Sequence, residues 1–175
     1  MFDWPDLDAR TRQLMLEEID ADIRAGKLYI GKRLSSAGAL AYPELLLQAA
    51  RTGTEASLAA ALRQPGFWNS RDTPRMKGRS LSVPKTPSDA AEILAEGEFN
   101  RFYMRALCQR AMEDHLDSVI VHRAKVVETP RLESEQRLGE AIDARALLED
   151  LRQSIGGKPR HGLPEPGSGL SIRLP

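Results

Sequence analysis

The 175-residue chain predicts a mainly α fold: a small helical bundle with minor β structure (one strand or hairpin) and two extended arms, one internal and one C-terminal. Three observations carry that expectation. Apolar residues recur at helical spacing in five stretches, several of them opened by a capping residue or closed by glycine. Only "DSVIVHRAKVVE" is dense in Val and Ile, as a strand is. Residues 69–87 and 157–175 hold too much Gly and Pro for a helix. The organisation that follows has N-terminal helices and a helical hairpin in residues 1–68, then a basic, Pro-rich arm in 69–87. A long helix, a strand and a last helix fill 88–156 and form one domain with 1–68, and residues 157–175 are an extended C-terminal arm.

The first helix is expected to start after Asp8 as N-cap and to end at Gly26. Leu16, Ile19 and Ile23 share its inner face with Met15 beside them. "KLYIG" is too short to assign beyond strand or extended chain. Two short helices follow, one with Pro43 at an early position and ending at Gly53, the other from Thr54 as N-cap to Pro65 and Gly66. They form a hairpin in which Leu45, Leu46 and Ala49 face Leu58, Ala61 and Leu62, with Phe67 and Trp68 as a hydrophobic plug at its end. Thr86 as N-cap and Pro87 open the longest helix, whose apolar face carries Ile93, Leu94, Phe99, Phe102, Tyr103, Ala106, Leu107 and Ala111. Gly97 weakens that helix and is a site for a kink. A strand over residues 118–127 and a helix from Asp143 carrying Ala146, Leu147, Leu148 and Leu151 complete the body.

Composition excludes some classes. Twenty-five Lys and Arg balance 25 Asp and Glu, so attraction to nucleic acid or an anionic membrane has to be local. A single cysteine, Cys108, allows neither an internal disulfide nor a thiolate zinc cluster, which suits a reducing cytoplasm. "MFDWPDLDAR" has no basic leader followed by an apolar segment, so no signal peptide is expected, and no apolar run approaches the roughly 20 residues of a membrane helix.

Catalytic signatures are sparse. "GKRLSS" has a Gly-Lys pair without the rest of a phosphate loop. His115, His122 and His161 are too scattered for metal-ligand spacing, and Cys108 lies on an apolar helix side with no activating neighbour in sequence. Glu17, Glu18, Asp20 and Asp22 are expected to form a solvated face of the first helix. Glu96 and Glu98, beside Phe99, Phe102 and Tyr103, are the best acid candidates, provided one is desolvated. No catalytic, cofactor-binding or metal-binding residue is assigned. In the basic arm Arg71, Arg75, Lys77 and Arg79 are expected to make electrostatic contact with an acidic protein surface or with phosphates. A helix-turn-helix reading of the hairpin is an alternative, although its second helix offers only Arg63 and Gln64.

The chain closes on "GLPEPGSGLSIRLP". Residues 162–169 read as a reach, and Leu170, Ile172 and Leu174 alternate like a strand that adds to a sheet edge, with Arg173 pointing the other way. The chain's own strand over 118–127 is one acceptor, but a tail of this length is expected to reach another subunit, so Leu170, Ile172, Arg173 and Leu174, with Phe67 and Trp68, are the expected partner contacts. A modest helical core, an internal arm and a strand-tipped C-terminal arm resemble the head-to-tail adaptor proteins of tailed bacteriophages, as do "DARTRQLMLEEIDADI", "EGEFNRFYMRALCQRA" and "GSGLSIRLP". The resemblance implies a non-enzymatic virion structural protein, made in the host cytoplasm, whose ring of subunits clasps the portal through the C-terminal arms around a DNA channel. A minor capsid or cement protein, and a cytoplasmic regulator that binds nucleic acid, are the alternatives.

Overall fold

The computed structural model describes residues 2–69, 90–165 and 167–175. In chain order its elements are α1 (Ala9–Arg24), α2 (Ser36–Thr52), α3 (Glu55–Leu62), α4 (Ala90–Glu113), β1 (Ser118–Arg123), α5 (Leu132–Gln136), β2 (Ala141–Asp143), α6 (Ala144–Gln153) and β3 (Leu170–Arg173). The fold is mainly α with a small antiparallel sheet of order β2-β1-β3. None of the described helices is long and apolar enough to cross a membrane.

Local chemistry starts most of the helices where the sequence places them. Asp8 accepts a hydrogen bond from the Thr11 amide at 3.0 Å and Asp143 from the Ala146 amide at 2.7 Å, each satisfying an orphan donor of a first turn. The Thr54 amide donates to Ser57 Oγ at 3.0 Å as α3 begins. α2 differs from expectation, because it starts at Ser36 and carries Pro43 in its interior. Ser35 is its N-cap, accepting from the Gly38 amide at 3.1 Å, and the run of small residues after it propagates the helix up to the proline. Pro43 removes one ladder donor without ending the helix. Gly38 is needed there, since a Cβ would stand 2.3 Å from the Phe67 carbonyl oxygen.

α4 is the hub, packing against α1, α3, α6, β1 and β3. It runs unbroken through Gly97, and every residue from Glu98 to Cys108 is buried. A helix enclosed on all sides is normally apolar all round. This one encloses Glu98, Asn100, Arg101 and Arg105 as well. Ile93, expected in the core, lies before the enclosed stretch and is 52% exposed. The start of the helix at Thr86 and Pro87, and the basic arm, fall outside the described residues except for Asn69.

The hairpin forms with Leu46, Ala49 and Ala50 of α2 and Leu58, Ala59 and Leu62 of α3 buried, whereas the expected facing residues Leu45 and Ala61 are only partly buried. Trp68 closes its end: the indole N–H donates to the Leu62 carbonyl at 2.7 Å, and the residue bridges to Leu34. "KLYIG" is extended chain outside any strand. β1 stops at Arg123, short of the expected 127.

The C-terminal tail requires the main correction. Within this chain it folds back as a strand of the sheet. β3 pairs antiparallel with the chain's own β1, with Val121 opposite Ile172 and Arg123 opposite Leu170. Leu170 and Ile172 are core residues, Leu174 packs against that core, and within β3 only Arg173 is exposed. The outer side of β3 is occupied too. Asn100 Nδ2 donates to the Leu170 carbonyl at 2.9 Å, the Leu170 amide donates to Ser168 Oγ at 3.1 Å, and the Leu174 amide donates to Asp6 Oδ2 at 2.9 Å. Side chains thereby cap an edge that would otherwise template another strand.

Candidate functional site: buried charges along the central helix

Arg101 and Arg105 lie one turn apart on α4, so both project from the same side of the helix. Arg105 is fully engaged. Its Nε donates to Glu18 Oε2 at 2.6 Å, and its two terminal nitrogens reach the Asp22 carboxylate at 2.6 and 3.1 Å. Its guanidinium also stacks over the Phe102 ring, 4.9 Å from the centroid. Arg152 of α6 covers the outer side of Glu18 with a second ion pair. Burial pushes the Glu18 carboxyl up, but Arg152 and Arg105 outweigh it and hold the group below the ordinary carboxylate range.

This corrects the reading of the first helix as carrying a solvated acidic face. Glu17 and Asp20 are exposed, whereas Glu18 and Asp22 are buried. α1 packs against both α2 and α4, which leaves a narrower strip for water than a one-sided amphipathic helix has. The signal in the sequence was the pair of arginines four residues apart inside the apolar run "FNRFYMRALC", matched by Glu18 and Asp22 at the same spacing.

Arg101 is engaged differently. One terminal nitrogen approaches the Leu151 and Ser154 carbonyls at 3.3 and 3.2 Å and Ser154 Oγ at 3.3 Å, and the other approaches the Gly157 carbonyl at 3.4 Å. These acceptors lie at the C-terminal end of α6, where carbonyls lack helical donors and a cation is favoured. Arg101 Nε has no hydrogen-bond partner among the described residues and stands 3.7 Å from Glu98 Oε1. Glu98 is 7% exposed. Burial pushes its carboxyl up to about 7, with Arg101 and Arg105 pulling down and Asp22 adding to the rise. Tyr42 Oη is buried without a partner among the described residues, and burial together with the nearby Glu98 charge drives its ionisation well above the ordinary range.

The two acid candidates are thus parted. Glu98 turns into the interior. Glu96 pairs with Lys125 and lines a crevice of about 180 Å³ between α3 and α4 with Glu55, Ala56, Ala59, Arg63 and Glu92. The acids of this crevice are engaged as well. Glu55 receives the Phe2 amide at 3.1 Å and the Trp4 indole N–H at 2.7 Å, and Glu92 pairs with Arg63.

The other sequence candidates lie apart. Cys108 is buried, and burial drives its thiol far above the ordinary range, which suppresses the thiolate. His122 sits in β1, where burial holds its imidazole below the ordinary range. His161 Nδ1 contacts Asp150 at 2.9 Å, and Asp150 also accepts the Arg160 and His161 amides at 2.9 and 2.7 Å, so this carboxylate pins the loop after α6. Among the described residues no group of three or more His, Cys, Asp or Glu is placed to hold a metal ion. Phe67 and Trp68 are half-buried at the end of the hairpin. Arg71, Arg75, Lys77 and Arg79 lie outside the described residues. α3 turns Ala56, Ser57 and Ala60 outward, and its Arg63 is paired, a poor surface for reading bases.

No protein-family model, no curated protein and no solved structure matches the chain.

Proposed function

We propose that the protein is a non-enzymatic assembly component, a virion structural subunit of a tailed bacteriophage acting as a head-to-tail adaptor or connector. Its contact element on this reading is the basic stretch of residues 69–87, and the C-terminal tail serves the fold. The supporting observation is the distribution of charge. Five Lys or Arg and one Asp give residues 69–87 a formal +4, and because the whole chain is neutral the remainder is −4. In that remainder the buried ions Glu18, Asp22, Arg105 and Asp150 hold elements of the body to each other. A concentrated positive stretch on an acidic body suits an acidic protein surface or a phosphate backbone.

The test is native mass spectrometry of the full chain alone and with a tailed-phage portal protein, beside a salt series of duplex DNA binding. The expected result is a ring-sized oligomer or a portal complex that is lost when Arg71, Arg75, Lys77 and Arg79 are all changed to Ser, with the circular dichroism of the body unchanged. DNA binding by a monomer, with a log–log salt slope falling by about 0.9 per lost phosphate contact, would instead favour the nucleic-acid regulator. A monomer that binds neither would overturn both readings.

A further inference from the structure

Arg101 sits between two sets of acceptors and meets neither at an optimal distance. Its contacts to the end of α6 are 3.2 to 3.4 Å, at the long end for N–H···O bonds, and its Nε stands 3.7 Å from Glu98 Oε1, beyond hydrogen-bond range. Arg105, one turn later, has contacts as short as 2.6 Å. Arg101 Nε has no partner among the described residues, and neither has the buried Tyr42 Oη, which the Glu98 charge reaches. Both are donors, and an ionised Glu98 is the acceptor that they lack.

We propose that Glu98, Arg101 and the C-terminal end of α6 form a proton-operated latch. With Glu98 neutral, Arg101 holds the carbonyls of Leu151, Ser154 and Gly157. When Glu98 ionises, Arg101 Nε is drawn into a charge-assisted hydrogen bond with it, and residues 154–157 lose their cationic cap. The groups around the carboxyl account for its poise. Arg101 and Arg105 on its own helix favour the anion, Asp22 from α1 opposes it, and Tyr42 from α2, with Tyr29 next to it, is neutral and offers a hydroxyl. Arg105 is held by Glu18 and Asp22 at short distances, so Arg101, whose contacts are longer, is the less firmly held cation. The loop beyond remains pinned by Asp150 through the Arg160 and His161 amides, which confines the change to the end of α6. A neutral carboxyl tolerates this burial, whereas an anion without hydrogen bonds does not, and this difference drives the movement.

The test is an NMR pH titration of the full chain that follows the Glu98 side-chain carboxyl carbon and the backbone amides of residues 154–157. The expected result is a common midpoint near 7 for both, with protection of the Ser154 and Gly157 amides about tenfold lower at about pH 8 than at about pH 6 after correction for intrinsic exchange. In Glu98→Gln the titration of residues 154–157 should vanish. The latch is wrong if the Glu98 carboxyl titrates in the ordinary carboxylate range, if residues 154–157 do not follow it, or if their titration survives Glu98→Gln and disappears in His161→Gln. Should the Glu98→Gln protein fail to fold, agreement or disagreement between the two midpoints in the unaltered protein decides alone.

Discussion

Arg105 and Arg101 stand one turn apart on the same buried helix, and their surroundings differ in kind. Arg105 faces two carboxylates with hydrogen-bond geometry on three nitrogens. Arg101 faces mainly backbone carbonyls at long distances, and its nearest carboxyl, Glu98, makes no hydrogen bond with it. Burial alone therefore does not set what a charge does in this core. A buried ion whose partners are complete ties helices together, whereas one whose partners are incomplete leaves a proton equilibrium open nearby.

The largest expected effect comes from breaking the complete cluster. Arg105→Met should cost about 3–5 kcal/mol in urea denaturation, because Asp22 loses its partner in a buried site and Glu18 keeps only Arg152. Replacing Glu18, Asp22 and Arg105 together by apolar residues should cost less than Arg105→Met alone, and the reverse order would remove desolvation as the cause. A purely apolar change gives a reference: Ile172→Ala should cost about 2–5 kcal/mol in the same assay. An Ile172→Ala protein of unchanged stability would mean that the tail does not pack in solution.

The incomplete site should respond with the opposite sign. The folded-state value for Glu98, about 7, lies above its ordinary 4.5, so the folded protein binds the proton more tightly than the unfolded chain does. The associated stability is fully present below about pH 4.5 and is lost as the pH rises through about 7. Glu98→Gln should therefore be more stable than the unaltered protein at about pH 8, by up to about 3 kcal/mol, with little difference at about pH 4. Equal pH dependence in the two proteins would locate the effect elsewhere. The smallest effect belongs to an exposed charge. Asp8→Ala should cost about 1 kcal/mol, mainly through the lost cap to the Thr11 amide, since the Asp8 to Arg110 pair is solvated on the aspartate side. A loss insensitive to salt would fit the cap, and one abolished by salt would fit the ion pair.

The comparison also marks how far the sequence could be read. α1, α3, β1 and α6 were legible because Asp8, Thr54, the Val and Ile cluster and Asp143 are local signals that act within a few residues. β2 and α5, three and five residues long, are too short for any period to reveal. α2 starts earlier than Pro43 suggests, because Ser35 caps it and the proline is accommodated inside the helix. The burial of Glu18 and Asp22 was missed because an amphipathic pattern assumes one dry face, and α1 has two neighbours.

Only tertiary structure decided where the tail went. Leu170, Ile172 and Leu174 announce a strand in any setting, since alternation is a property of the segment itself. Which edge receives it depends on what lies within reach after folding. β1 presents a free edge with Val119 and Val121 already facing the core, and Asn100 and Asp6 stand where they satisfy the outer side. By itself the sequence determined α1, α3 and α6 with their starting residues and the strand character of the tail, because these rest on interactions within a few residues. The packing around α4 determined the partners of its arginines and the fate of the tail, because a buried charge or a strand edge is completed by residues up to 168 positions away.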